Sequence, residues 1–289
     1  MSKAFPDRLD PRIHPLRPDL AARRYSGTYP ATRFADGSLH GVTRDCLTMR
    51  ASPDATAGQT SQLLFGETFD VFETSNGWAW GQAKRDDYVG YVEAARLTAD
   101  PLPTTHRLSA LASHIYPAPD LKTCPVQAVH MGAALALKDT PPVKGFAELH
   151  SGGWIYARHL MPLGAVEPDY VATAQKFLGA PYLWGGKSSA GLDCSALVQI
   201  ALFAAGISVP RDSDLQRKAL GPLLAPGTAL RRGDIAFFPG HVGIMLDEHQ
   251  LLHANASHMA VSIDPLAEVI AIVAKTAPQP YIGACRPLP

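Results

Sequence analysis

Asp193-Cys194-Ser195-Ala-Leu-Val-Gln-Ile-Ala-Leu-Phe-Ala-Ala-Gly206 joins a loop to a strongly apolar run. Asp is a preferred helix N-cap and Gly a preferred helix stop, so the stretch predicts a buried helix beginning at Cys194. A thiol in the first turn feels the positive end of the helix, which favours the thiolate. The N–H groups of that turn can also form one wall of an oxyanion hole. The alternative for Cys194 is a small residue packed at a helix start.

Around this stretch the pattern is mixed. Asp169 to Leu178 predicts a helix with Val171, Ala174, Phe177 and Leu178 on one face. After Arg231-Arg-Gly-Asp234, a turn, come three short apolar runs, Ile235 to Phe238, His241 to Leu246 and Gln250 to Ala254, which predict a strand meander. Helices followed by a meander make an α+β domain, expected over residues 165–289. A hairpin between the last two runs makes His241 and His253 antiparallel neighbours, one able to orient the other. With Cys194 they have the residue types of a nucleophile, a base and its orienter. The chain holds four cysteines and 11 histidines, so position and not mere presence selects these three. His130, His249 and His258 lack such a setting and read as surface residues.

Upstream, residues 1–25 read as an extended arm, with Pro6, Pro11, Pro15 and Pro18 blocking regular structure. Short runs rich in Val, Tyr, Phe, Trp and Thr follow, an all-β pattern with small-barrel spacing. Ala51-Ser-Pro-Asp54 leads to Gly66 as Pro117-Ala-Pro-Asp120 leads to Gly132, and Gly90 to Leu97 (GYVEAARL) matches Gly153 to Leu160 (GWIYARHL). Two copies of one β-barrel unit are therefore expected, over 26–99 and 104–161, joined by Ala99 to Thr105. One larger β-domain is the alternative.

Composition bounds the function. Of 289 residues 46% are hydrophobic and 18% charged, as in ordinary globular proteins. Lys plus Arg equals Asp plus Glu at 26 each, without the basic excess of a nucleic-acid binder. No apolar run is long enough to span a bilayer, and the start, with three acidic residues and four prolines among its first 20, lacks the apolar core of a signal peptide, so a cytoplasmic protein is expected. Cys46, Cys124 and Cys285 show no metal or redox spacing and read as buried small hydrophobes.

Tyr182-Leu-Trp184-Gly-Gly, Asp193-Cys194-Ser195, Arg232-Gly-Asp234, His241-Val-Gly-Ile and His253-Ala occur in this order. The set resembles the NlpC-type family of cell-wall peptidases, which are papain-like cysteine peptidases. The resemblance implies Cys194 as nucleophile, His241 as general base and His253 as orienter, with no cofactor or metal. Ala196 stands where many members have Gly. The N-terminal repeats resemble bacterial SH3-like domains, so the implied fold is two small all-β SH3-like barrels followed by an α+β papain-like peptidase domain.

This combination is similar to the subgroup that cuts cell-wall (murein) peptides between γ-D-Glu and a diamino acid when the N-terminal L-Ala is free, in peptide recycling. The implied partner is such a peptide, not nucleic acid or a membrane. A free ammonium calls for a carboxylate beside the cleft. Asp212-Ser213 resembles the subgroup's substrate-binding Asp-Ser pair, although Ser213-x-x-Gln216 also reads as a helix capping box. The subgroup walls its cleft with a Glu and a Tyr of the first SH3-like domain. Glu67, opposite Ala133 in the second copy, matches the Glu, and either Tyr88 or Tyr91 the Tyr. Tyr182 and Trp184 border the cleft or anchor the core, and Asp193 and Ser195 flank the nucleophile as further substrate contacts. A peptide-binding protein without activity, a thiol acyltransferase and a zinc site on Cys194, His241 and His253 are the rival readings.

Overall fold

The computed structural model describes residues 9–287, so the first eight residues of the expected arm lie outside it. The chain forms two compact units, Met1–Leu163 and Gly164–Pro289.

In the first unit, strands between Ser38 and Thr98 form one antiparallel sheet of seven. Alternation along Cys46–Arg50 turns Leu47 and Met49 inward, where they meet Val42, Leu63, Phe69, Val71 and Val92. Asn76-Gly77, both at positive φ, turns Thr68–Ser75 into Trp78–Ala83, as a two-residue hairpin requires. From residue 9 to Tyr25 the chain is more ordered than its prolines suggest. Leu20–Ala22 pairs in parallel with Arg33–Ala35, and Leu20 and Ala22 pack with Phe72 and Trp80.

Residues 105–162 build a second small β-unit around Leu108, Ile115, Val129, Leu135, Leu149 and Ile155. Its backbone repeats the first. Val42 N–H donates to Glu67 O as Leu108 N–H does to Ala133 O, and Gly66 N–H to Val42 O as Gly132 N–H does to Leu108 O. Both stretches end in a single 3-10 turn followed by a short strand, Ala94–Arg96 into Leu97–Thr98 and Ala157–His159 into Leu160–Pro162. Gly66 lies at φ +72°, where a Cβ would come within 1.9 Å of Ala134 O, so the first β-unit needs Gly where the second packs against it.

The second unit places four helices about a five-stranded antiparallel sheet. The strand order is Ala260–Pro265, Gln250–Asn255, His241–Met245, Ile235–Phe238 and Gly283–Cys285. Helix α1 is Tyr170–Gln175, capped by the Asp169 carboxylate, which accepts from Ala172 N–H. Helix α2, Cys194–Ala204, is buried almost all round and lies against the His241–Met245 and Gln250–Asn255 strands. Helix α3 is Ser213–Ala219 and α4 Leu266–Val273. The meander stands as expected, but the sheet gains the Ala260–Pro265 and Gly283–Cys285 strands and α4, for which the sequence offered no expectation. All four cysteines are free, and Cys124 is exposed, not buried. Among the described residues no helix is long and apolar enough to cross a membrane.

Candidate active site

Asp193 fixes the start of α2. Its Oδ1 accepts from Ala196 N–H at 2.9 Å, as an N-cap should, and its Oδ2 accepts from Gly185 N–H at 2.9 Å. The second contact explains Gly185-Gly186. Gly185 takes positive φ, and a Cβ on Gly186 would lie 2.4 Å from Gly191 O. Trp184, just before them, is exposed.

Arg211 was not anticipated. It is 1% exposed and grips Asp193 with both terminal nitrogens, at 2.9 and 2.7 Å, while also donating to Ser195 Oγ at 2.8 Å and Gly186 O at 3.1 Å. Asp193 and Ser195 are thus parts of the frame that holds the Cys194 turn. Gln216 completes it by donating to Ser195 O at 2.8 Å and Pro210 O at 3.0 Å. This corrects the capping-box reading, since the N-cap of α3 is Asp212 and the Gln216 amide points away to those carbonyls. The Asp212 carboxylate does not cap its own helix.

The sheet brings the histidines to the thiol. The His241–Met245 strand packs on α2, and the Val242 backbone N–H lies near enough to the buried Cys194 sulfur to favour its charged form. His241 Nε2 lies 2.7 Å from His253 Nδ1, with the rings at 67° to one another. His253 Nε2 lies 2.8 Å from Asp264 Oδ2. Both ring nitrogens of His253 are therefore engaged in hydrogen bonds. Gly243 pairs beside His253, where a Cβ would meet the His253 Cβ at 3.0 Å and Leu251 Cδ1 at 2.8 Å. The Gly of His-Val-Gly-Ile thus makes room for the second histidine.

Burial dominates the electrostatics. It pushes the Cys194 thiol up to about 12, helped by Asp193, and the Val242 and Ser195 backbone groups offset only part of this. The helix end was expected to favour the thiolate, and burial overrides it. Burial, then His253, presses His241 down to about 3. His253 is also lowered by burial, which outweighs the opposing pull of Asp264. The Tyr182 hydroxyl, close to Cys194, is raised to about 12 by burial, Cys194 and Asp193. Burial thus favours the uncharged forms of the thiol and of both imidazoles, and an uncharged His241 can take the thiol proton as the sulfur attacks.

Residues 179–274 match the NlpC/P60 family, and residues 49–97 match the bacterial dipeptidyl-peptidase Sh3 domain. The C-terminal unit belongs to the NlpC/P60 family. The chain is 25% identical over 242 residues to a dipeptidyl-peptidase 6 of Lysinibacillus sphaericus, covering 75% of this chain and 88% of that one. It is 30% identical over 159 residues to a gamma-D-glutamyl-L-lysine dipeptidyl-peptidase of Bacillus cereus, covering 50% of this chain and 44% of that relative. A solved structure of an NlpC/P60 family protein from Bacillus cereus shares the fold, with TM-score 0.71 and 20% identity over 87% of this chain and all of that one. An SH3-like domain thus precedes an NlpC/P60 papain-like domain.

The NlpC/P60 domain brings together Cys194, His241, His253, Tyr182, Asp193 and Ser195. It also engages two residues that sequence reading missed, Arg211 and Asp264. His258, read as a surface residue, is exposed but bonds Asp264 Oδ1 at 3.1 Å, whereas His130 is buried. In the SH3-like domain Glu67 is 4% exposed and meets Arg85 Nη1 at 2.6 Å, while Arg85 Nη2 donates to Gly132 O of the second β-unit. Tyr88 is buried in that domain's core, and the half-buried Tyr91 hydroxyl accepts from Arg17 at 3.0 Å.

Proposed function

We propose that this chain is a cysteine endopeptidase that hydrolyses the γ-D-glutamyl–diamino acid bond of murein-derived peptides bearing a free N-terminal L-Ala. The observation that carries the reading is the buried line from the head of α2 through His241 and His253 to Asp264. Cys194 attacks the γ-carbonyl of D-Glu while His241 Nδ1 takes the thiol proton. Developing charge on the carbonyl oxygen is met by first-turn N–H groups of α2 and by the Tyr182 hydroxyl, protonated at neutral pH. His241 then passes its proton to the departing amine. Water attacks the thioester, giving its proton to His241, and L-Ala-γ-D-Glu leaves as the thiolate is reprotonated.

The relatives named as dipeptidyl-peptidases favour this substrate class, and the repeated backbone bonding supports a second SH3-like copy over 104–161. Asp212, Ser213 and Trp184 are assigned to substrate contact within the peptidase domain. Glu67 and either Tyr88 or Tyr91 are assigned the ammonium-reading role that the resemblance implies. The substrate is a soluble released peptide, in keeping with cytoplasmic recycling.

Hydrolysis of L-Ala-γ-D-Glu-meso-diaminopimelate, free and N-acetylated, by wild type and Cys194→Ala tests the reading. Cleavage of the free peptide alone, lost in the variant, is expected. Equal cleavage of both overturns the amine requirement, and cleavage of neither overturns the peptidase assignment.

A further inference from the structure

Among the described residues His241 Nδ1 has no hydrogen-bond partner, and its Nε2 is committed to His253. Which nitrogen of His241 carries the proton decides whether it can act as a base at all. Two lines of bonding meet at Asp264 and settle the direction. The first starts at His258 N–H, which can only donate and does so to Asn255 Oδ1 at 2.9 Å. Asn255 therefore turns its Nδ2 to Ser262 Oγ at 2.7 Å, and the Ser262 hydroxyl hands its proton to Asp264 Oδ2 at 2.6 Å. Ser262 and His253 together hold the Asp264 carboxyl below its ordinary range, even though burial opposes them.

The second line begins at that carboxylate. A carboxylate accepts only, so the proton between Asp264 and His253 sits on His253 Nε2. Neutral His253 then has a bare Nδ1, which accepts, and the proton at 2.7 Å belongs to His241 Nε2. Neutral His241 is left with its lone pair on Nδ1, the nitrogen not engaged by His253. The groups facing this line are His258 and Ser262 at Asp264, and Asp193 and Phe238 at His241.

We propose that Asp264 is a positioning residue that sets the tautomers of both histidines, so that His241 keeps an unprotonated Nδ1 for the Cys194 thiol. The assignment rests on reading His241 as the general base and adds what orients its proton. Register places Asp264 there, since His253 pairs across from Ser262 and Asp264 lies two residues further along the same strand face.

The test is 15N-labelled histidine NMR of the full chain at neutral pH, with kcat and KM, for wild type, Asp264→Asn and Asp264→Glu. Wild type is expected to show Nε2–H on both His241 and His253. In Asp264→Asn the amide can turn its Nδ2 to His253, shifting its proton to Nδ1 and forcing His241 to Nδ1–H. kcat should then fall at least about tenfold with KM nearly unchanged, as wrong-tautomer variants of triad orienters do. Asp264→Glu, which keeps an acceptor, should restore the wild-type tautomers and part of kcat. Nδ1–H on wild-type His241, or an Asp264→Asn enzyme that loses kcat with both tautomers intact, overturns the proposal. The spectra need no substrate, so failure of the peptide to be cleaved would be read separately from failure of the tautomer assignment.

Discussion

The Arg211 guanidinium and the Asp193 carboxylate form a buried two-pronged pair, at 2.9 and 2.7 Å, directly beneath the Cys194 turn. Asp193 caps α2 and ties down Gly185, so one ion pair fixes both the nucleophile's helix and the Tyr182-to-Gly186 segment. Removing the cation leaves a carboxylate buried without its counter-charge. Arg211→Ala is therefore expected to cost about 3–5 kcal/mol of stability. Arg211→Lys should recover little, because a point ammonium cannot reproduce the fork. Urea unfolding midpoints of the two variants check this, and a Lys variant as stable as wild type would show that charge alone suffices.

His241→Ala should fold as wild type and lose about 10²–10⁴-fold in kcat, the usual worth of a general acid–base. Cys194→Ala should lose all measurable turnover. Parallel stopped assays and circular dichroism separate lost chemistry from lost fold. Wild-type activity in the His241 variant would remove its assigned role.

Acid should weaken the NlpC/P60 domain. His241 is held near 3 in the folded state against 6.5 for the free side chain. The unfolded chain then binds a proton that the folded one refuses, so stability is full above about 6.5 and falls as pH drops towards about 3. Denaturant midpoints should fall across that window, and His241→Ala should flatten part of the slope. His253, lowered in the same direction, supplies the remainder.

Burial of the thiol makes a second pH prediction. With Cys194 raised to about 12, its alkylation by iodoacetamide should keep climbing through the alkaline range. A rate that is already level at mildly acidic pH would reveal a standing thiolate–imidazolium pair.

Gly243→Ala tests the space around the second histidine. The new methyl would press on His253 Cβ at 3.0 Å and Leu251 Cδ1 at 2.8 Å within a sheet core. Overpacking of this kind costs about 1–3 kcal/mol. It should also reduce kcat more than KM, by moving His253 away from His241. Kinetics of a purified, folded variant would expose the opposite pattern.

Several features are local enough to read along the chain. Asp193 before an apolar run ending at Gly206 announces α2 and puts Cys194 in its first turn, because capping and helical burial depend on neighbours in sequence. His241 and His253 are legible as a pair because a short hairpin leaves few registers. The repeated backbone bonds behind Gly66 and Gly132 are foreshadowed by the matching segments themselves.

What the chain order hides is the partner of each buried charge. Arg211 reaches Asp193 across 18 residues, and its neighbours Asp212 and Ser213 carried the more familiar pattern. Asp264 reaches His253 only because antiparallel register sets Ser262 opposite it, on a strand that no apolar period marked. Glu67 stands opposite Ala133 in the repeat, and tertiary packing supplies its Arg85 neighbour. The direction of the Cys194 shift is also a tertiary result. A helix end favours the thiolate through one turn of backbone, but desolvation by everything packed around the sulfur opposes it more strongly, and that packing exists only once the sheet has closed over α2.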